Sequence, residues 1–225
     1  MSVELMDAGS LSQRAYQHLR EELIAGNFRP GQRFIMQDLA DSVGTSITPV
    51  REACIRLVSE GGLELRSRRF VHVPDLSLAR YTEVRTIRIA LEGLAAELAA
   101  SRATTADVET LIKLNKKFAT AVTSSKAEVA IRANRAFHFS LYRIAGLDML
   151  TKQIESLWMS MGPILNVFYN DVATDYLGDE HLQVIAALSK ADGAAARVAL
   201  QRDILKSSPS LCIYLEQHEV RKSTF

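Results

Sequence analysis

The stretch TSITPVREACIRLV at residues 45–58 constrains this chain more than any other. A Thr-Pro step opens a helix there: Thr48 is placed to cap it, and Pro49 takes the first helical position, where its missing N–H costs nothing. Val50, Ala53, Cys54, Leu57 and Val58 recur at helical spacing, which buries one face and leaves Arg51 on the other, in the first turn. Just upstream, LADSVG at 39–44 reads as a second short helix stopped at Gly44. Two such helices in succession predict a helix-turn-helix, whose second helix carries in its first turn the side chains that reach base edges in DNA.

The flanks extend this unit to a winged helix. Residues 11–25 predict an amphipathic helix with Leu11, Ala15, Leu19, Leu23 and Ile24 on one face and Gly26 as its stop. Arg29-Pro30-Gly31-Gln32 predicts a turn, since Pro presets φ at the second position and Gly supplies positive φ at the third. Leu63 and Leu65 alternate with polar residues, as do Val71 and Val73 around His72. That pattern predicts a short hairpin with Arg66, Arg68 and Arg69 near its tip, in reach of backbone phosphate or a minor groove. The basic charge is local. Residues 1–75 hold nine Arg and no Lys against ten Asp and Glu, whereas 44–73 hold five Arg against three Glu. A basic face that small suits a dimer, which doubles it and predicts a twofold operator.

At 225 residues, 48% hydrophobic and a net charge of +1, the chain suits two compact domains. No apolar run approaches a membrane span, and the opening MSVELMDAGS lacks the basic-then-apolar order of a signal peptide, so a cytoplasmic protein is expected. Cys54 and Cys212 sit in apolar helical patterns without metal-type spacing and read as small core residues. The domain boundary falls at Val73-Pro74-Asp75: a winged helix over 1–74, then an all-α bundle over 75–225. The bundle reads as helices near 76–101, 105–123, 126–145, 148–169, 172–190 and 193–217, with a kink at Gly162-Pro163. The fold class is mainly α with a small β-hairpin wing.

Three features of the bundle can carry chemistry. ANRAFHFSLY puts Asn134 and His138 one turn apart on one helix face; DEHLQVIAAL puts His181 on the side of Val184, Ile185 and Leu188; Asp203 lies on the last helix. Spacing alone leaves each with a plain structural reading as well: a histidine on an apolar face is commonly a hydrogen-bonded core residue, and Asp203 has Arg202 and Lys206 beside it. Trp158, Met159, Met161 and Tyr169 form a Met and aromatic stripe of the kind that fills a core or lines a cavity. Arg85 and Arg88 lie one turn apart at the start of the bundle. An Arg facing a bundle interior needs an anion, either a protein carboxylate such as Glu92 or a bound acid.

The order amphipathic helix, turn, LADSVG helix, TPVREA helix and wing resembles the GntR family of bacterial transcription regulators, and residues 85–205 resemble the FCD ligand-binding domain of its FadR-type branch. The first resemblance implies DNA contacts from Gln37, Thr45, Ser46, Thr48 and Arg51. This chain departs from the pattern at Ile47, where the family has Arg, and at Arg69-Phe70, where it has Gly before the last strand of the wing. In the second, Arg88, Leu91 and Glu92 match an R-x-x-L-E motif, and Asn134, His138, His181 and Asp203 fall at four positions that in the family, as one Asp and three His, hold a divalent metal. Two of the four are changed here, Asp to Asn134 and His to Asp203. Two imidazoles, a carboxylate and an amide oxygen still suit zinc, nickel or manganese.

The resemblance thus implies a homodimeric regulator, not an enzyme, that binds operator DNA and responds to a small carboxylate taken by Arg88 and the metal. Two other functions stand beside it: a metal sensor in which the ion itself is the signal, and a metal-dependent enzyme built on the bundle. The enzyme has least support, because the chain shows no Ser-His-Asp or Cys-His set, no phosphate loop and no candidate base beside the histidines.

Overall fold

The computed structural model describes residues 3–67, 69–168 and 178–223. Arg68, Tyr169 and the expected helix start near 172 lie outside the described residues. The chain divides into two compact units, Met1–Leu76 with Trp158–Ile164, and Ser77–Leu157 with Leu165–Phe225.

In the first unit α1 (Val3–Ile24) is followed by β1 (Arg33–Ile35), α2 (Met36–Val43), α3 (Ile47–Ser59), β2 (Glu64–Ser67) and β3 (Phe70–His72). The helix expected from Leu11 begins eight residues earlier, Gly9 notwithstanding. A glycine inside a helix costs only about 1 kcal/mol, which neighbouring turns can carry. α3 packs against α1 through Val50, Ala53, Cys54 and Leu57, all buried, facing a stripe of Ala15, Leu19 and Leu23. Each such Leu or Val contributes about 1.5–3 kcal/mol by leaving water.

Two details differ from expectation. α3 starts at Ile47 with Ser46 as its N-cap, so Thr48 is not the cap and Pro49 is the third helical residue. Pro is accepted there for the same reason as at the first position: none of the opening N–H groups has an intrahelical partner. The wing is also more than a hairpin. β1 adds to it in the antiparallel order β1-β3-β2, with Phe34 opposite Val71 and Leu65 opposite Val71 from the other side. The Arg29–Gln32 turn forms as expected, closed by Gln32 N–H donating to the Arg29 carbonyl at 3.1 Å with Gly31 at φ +73°. Gly44, at φ +71°, ends α2 in the left-handed conformation that lets its N–H and that of Thr45 cap the helix's last carbonyls.

The second unit is helical: α4 (Leu78–Ala100), α5 (Thr105–Thr123), α6 (Ala127–Ile144), α7 (Asp148–Val167), α8 (Asp179–Ser189), α9 (Gly193–Lys206) and α10 (Ser208–Ser223), with part of α7 grouped in the first unit. α4 lies on α9, α5 on α6 and α8 on α9. Buried Ala95, Ala96 and Ala99 of α4 and Ala196 and Ala199 of α9 keep these helices slender enough for close packing. The expected last helix over 193–217 is two helices, broken at Ser207, because Pro209 supplies no N–H and crowds the carbonyl four residues before it. α7 runs on through Pro163. Its Trp158, Met159 and Met161 are buried, in the part of α7 that groups with the first unit. Within that unit a methyl group on Gly162 would lie 1.8 Å from the Leu23 carbonyl oxygen, so no larger residue fits there. No helix among the described residues is long and apolar enough to cross a membrane.

Candidate functional sites

Burial splits α3 into two arcs. Pro49, Val50, Ala53, Cys54 and Leu57 are inside, whereas Thr48, Arg51, Glu52 and Ile55 are exposed at the i, i+3, i+4, i+7 spacing of one stripe. Arg51 makes no hydrogen bond or ion pair among the described residues. Arg56 behaves oppositely. Its guanidinium lies 3.6 Å over the Tyr16 ring, pairs with Glu60 at 3.1 Å and bonds Gln13 at 3.1 Å, while the Tyr16 hydroxyl donates to Glu60 at 2.7 Å. That knot fixes the far end of α3 on α1 and leaves Arg51 as the helix's available cation. Ser46 and Gln37 are exposed, Gln37 donating to Asp41 at 2.9 Å, and Thr45 is half-buried. Arg69 is exposed beside β3, and Arg66 pairs with Glu64 at 2.9 Å.

The second site lies inside the bundle. α6 carries His138, α8 carries His181 and α9 carries Asp203, each within the apolar stripe of its helix and each buried. The structure brings these three together with ligand atoms within 4.8 Å of one another. The two Nε2 atoms are 3.3 Å apart, and Asp203 turns one oxygen to each ring, at 3.3 and 3.4 Å. Lys206, which sequence offered as a partner for Asp203, pairs with Glu180 at 2.9 Å instead.

The surroundings decide where the protons are. The Tyr142 hydroxyl has one proton and donates it to Glu92, so its oxygen accepts from His138 Nδ1–H at 3.1 Å. Burial, then the Glu92 charge, pushes the Tyr142 hydroxyl well above its usual range, which keeps that proton in place. Asn115 Oδ1 accepts from His181 Nδ1–H at 2.9 Å. Both rings therefore hold their proton on Nδ1 and turn an Nε2 lone pair toward Asp203. Burial, against the pull of Asp203 and with the repulsion of His138, lowers His181 to about 4, so its ring stays neutral near pH 7. Two lone pairs and a carboxylate facing one another suit a shared cation. The 3.3 Å between the two Nε2 atoms matches the edge of a tetrahedron with bonds of about 2.0–2.1 Å to its centre, the bond length of zinc to imidazole nitrogen, and Asp203 sets one oxygen beside each ring. Asn134, one turn before His138, is buried with its Oδ1 lacking a hydrogen-bond partner among the described residues, as befits a further oxygen donor.

Arg88 is buried and sets its fork on Glu92 through Nε at 2.6 Å and Nη2 at 3.3 Å. Burial works against the charge of this guanidinium, but the Glu92 carboxylate outweighs it and raises Arg88 above its usual value. The internal ion pair, one of the two readings the sequence offered, is thus the one in place. The chain Arg88–Glu92–Tyr142–His138 makes α4 an outer support of the cluster. Sequence reading missed Tyr142 and Asn115, and both had signals: Tyr142 follows His138 by four residues, and Asn115 interrupts the apolar stripe of Leu111 and Phe118.

Comparison with known proteins follows the same division. The family model described as bacterial regulatory proteins, gntR family, matches residues 11–73, and that of the FCD domain matches residues 83–205. The HTH-type transcriptional regulator McbR of Escherichia coli (strain K12) is 33% identical over 195 residues, covering 85% of this chain and 88% of that protein. The HTH-type transcriptional repressor RspR of the same organism is 25% identical over 212 residues, 94% and 93% of the two chains. The solved structure of E. coli McbR/YncC matches with a TM-score of 0.83 at 31% identity, covering 89% of this chain and 96% of that one.

Proposed function

The chain belongs to the gntR family of bacterial regulatory proteins and is a DNA-binding transcriptional regulator, and we propose that a divalent metal ion and a small organic acid held in its FCD domain set its affinity for operator DNA. The observation that carries this reading is the meeting of His138, His181 and Asp203 with both Nε2 lone pairs turned to the carboxylate. Asn134 would complete the donor set. Zinc, nickel and manganese all suit two nitrogens with oxygens. When bound, such an ion supplies a Lewis-acidic point for a carboxylate or α-hydroxyl.

The residues of the chain divide the remaining work. Tyr142 and Asn115 hold the imidazole protons on the outer nitrogens, and Arg88 fixes the Glu92 carboxylate so that it accepts the Tyr142 hydrogen bond. An acid bound in the fork of Arg88 would have to displace Glu92, so the acid is assigned to the ion and Arg88 to the support. The effector class is dicarboxylate, hydroxy acid or sugar acid. On the DNA side, Gln37, Thr45, Ser46, Thr48 and Arg51 read the operator, with Arg68 and Arg69 of the wing on backbone or minor groove. A cytoplasmic homodimer on a short palindromic site fits this division, with the winged helix as residues 1–74 and the FCD region as 75–225.

Melting of the full chain with a panel of such acids, with zinc and with chelator, tests the proposal. A stabilising shift from at least one acid that requires the metal is expected, about 2.7 kcal/mol at a hundred times the dissociation constant. Shifts from neutral sugars or amines but from no acid would overturn it.

A further inference from the structure

The exposed arc of α3 carries one isoleucine, with a second at its edge, where a DNA-facing helix is ordinarily polar. Ile55 is 54% exposed in the middle of that arc, although the opposite face of the same helix has a complete apolar core in Val50, Ala53, Cys54 and Leu57. Ile47 opens the helix and is half-buried. Ile47, Arg51 and Ile55 are spaced four residues apart, so they rise along one side of the helix by about 6 Å per step. Thr48 lies seven residues before Ile55 on nearly the same line and adds a methyl of its own. Arg51 is thereby flanked by the exposed Ile55 on one side and the half-buried Ile47 on the other.

The major groove offers one apolar feature, the C5-methyl group of thymine. We propose that Ile55, with Ile47, is a specificity-determining residue that reads thymine methyls on either side of a guanine read by Arg51. The inference rests on the reading of α3 as the recognition helix. It predicts half-sites in which thymines flank that guanine, selected by burial of methyl groups rather than by hydrogen bonds. An apolar side chain also leaves any cytosine amino group or guanine oxygen it covers without a partner, so other bases are rejected at those positions.

The test uses the full chain and a palindromic duplex that the protein itself selects from a random library. Thymines beside the Arg51-dependent guanine are then replaced by deoxyuridine, which removes only the methyl. Wild type is expected to bind more weakly by on the order of fourfold per methyl removed. Ile55→Ala is expected to bind the thymine and uracil duplexes alike at the position it covers. Equal wild-type affinity for both duplexes, selected half-sites without thymine beside the guanine, or a full uracil penalty retained in Ile55→Ala would each overturn the inference. The wild-type arm needs no variant to fold. If Arg51→Ala also kept its sequence preference, the assignment of α3 would fall as well, so the two failures are distinguishable.

Discussion

The face of α3 and the cluster under α6, α8 and α9 solve opposite problems. On α3 the proposed reader, Arg51, is an exposed cation without a partner among the described residues, while Arg56 on the same helix is bound by Tyr16, Glu60 and Gln13. In the cluster every group is buried and both imidazoles are aimed by further side chains, His181 by Asn115 and His138 by Arg88 through Glu92 and Tyr142. A surface reader needs freedom to meet its ligand. A buried site needs its lone pairs arranged beforehand, because an unpaired polar group costs more in a low dielectric.

That contrast breaks first at the cluster. Replacing His138 and His181 together by Ala removes the site's only nitrogen donors. Elemental analysis is expected to fall from about one divalent ion per chain to none, and equal content in wild type and the double variant would return both histidines to core packing. The next largest effect belongs to Arg88. Its removal takes the ion pair from the buried Glu92, so Arg88→Ala is expected to cost about 3–5 kcal/mol in denaturant unfolding of the metal-free protein. A loss below about 1 kcal/mol, the value of an exposed pair, would show that the support chain is not rigid.

The surface side predicts smaller numbers of a different kind. Arg51→Ala is expected to lose about 1–3 kcal/mol of discrimination per half-site without loss of fold. Arg56→Ala is expected to do the reverse, lowering the melting point while sequence preference stays. If Arg56→Ala relaxed specificity and Arg51→Ala did not, the division of α3 into reader and anchor would be wrong. The smallest effect compares helix starts. Thr104 closes a capping box with Asp107 on α5, whereas Ser46 makes no side-chain cap on α3. Thr104→Ala is expected to cost about 1 kcal/mol, Ser46→Ala only a few tenths.

The same contrast explains what could be read before any coordinates. The α3 face was legible because contiguous residues at helical spacing carry it; only the cap was misplaced, since Ser46 and Thr48 both precede or enter a first turn that tolerates Pro49. β1 was not legible. Three residues, Arg33–Ile35, are too few to show a period, and they form a strand only because β3 pairs with them. The break at Ser207 was hidden by helical periodicity continuing on both sides of it. His138, His181 and Asp203 were each visible as candidates, but no spacing within one helix can place α6, α8 and α9 together. Asn115 and Tyr142 went unread because a polar group in an apolar stripe acquires meaning only from the residue opposite.

Regulation requires that the buried site and the exposed face share one equilibrium. The direct measurement is the operator dissociation constant of the full chain, with zinc and each acid of the panel and again with chelator. The account predicts a change of about 5- to 150-fold for at least one acid in wild type, and none in the His138→Ala, His181→Ala variant. Operator affinity unchanged by every acid, with metal or without, would contradict it.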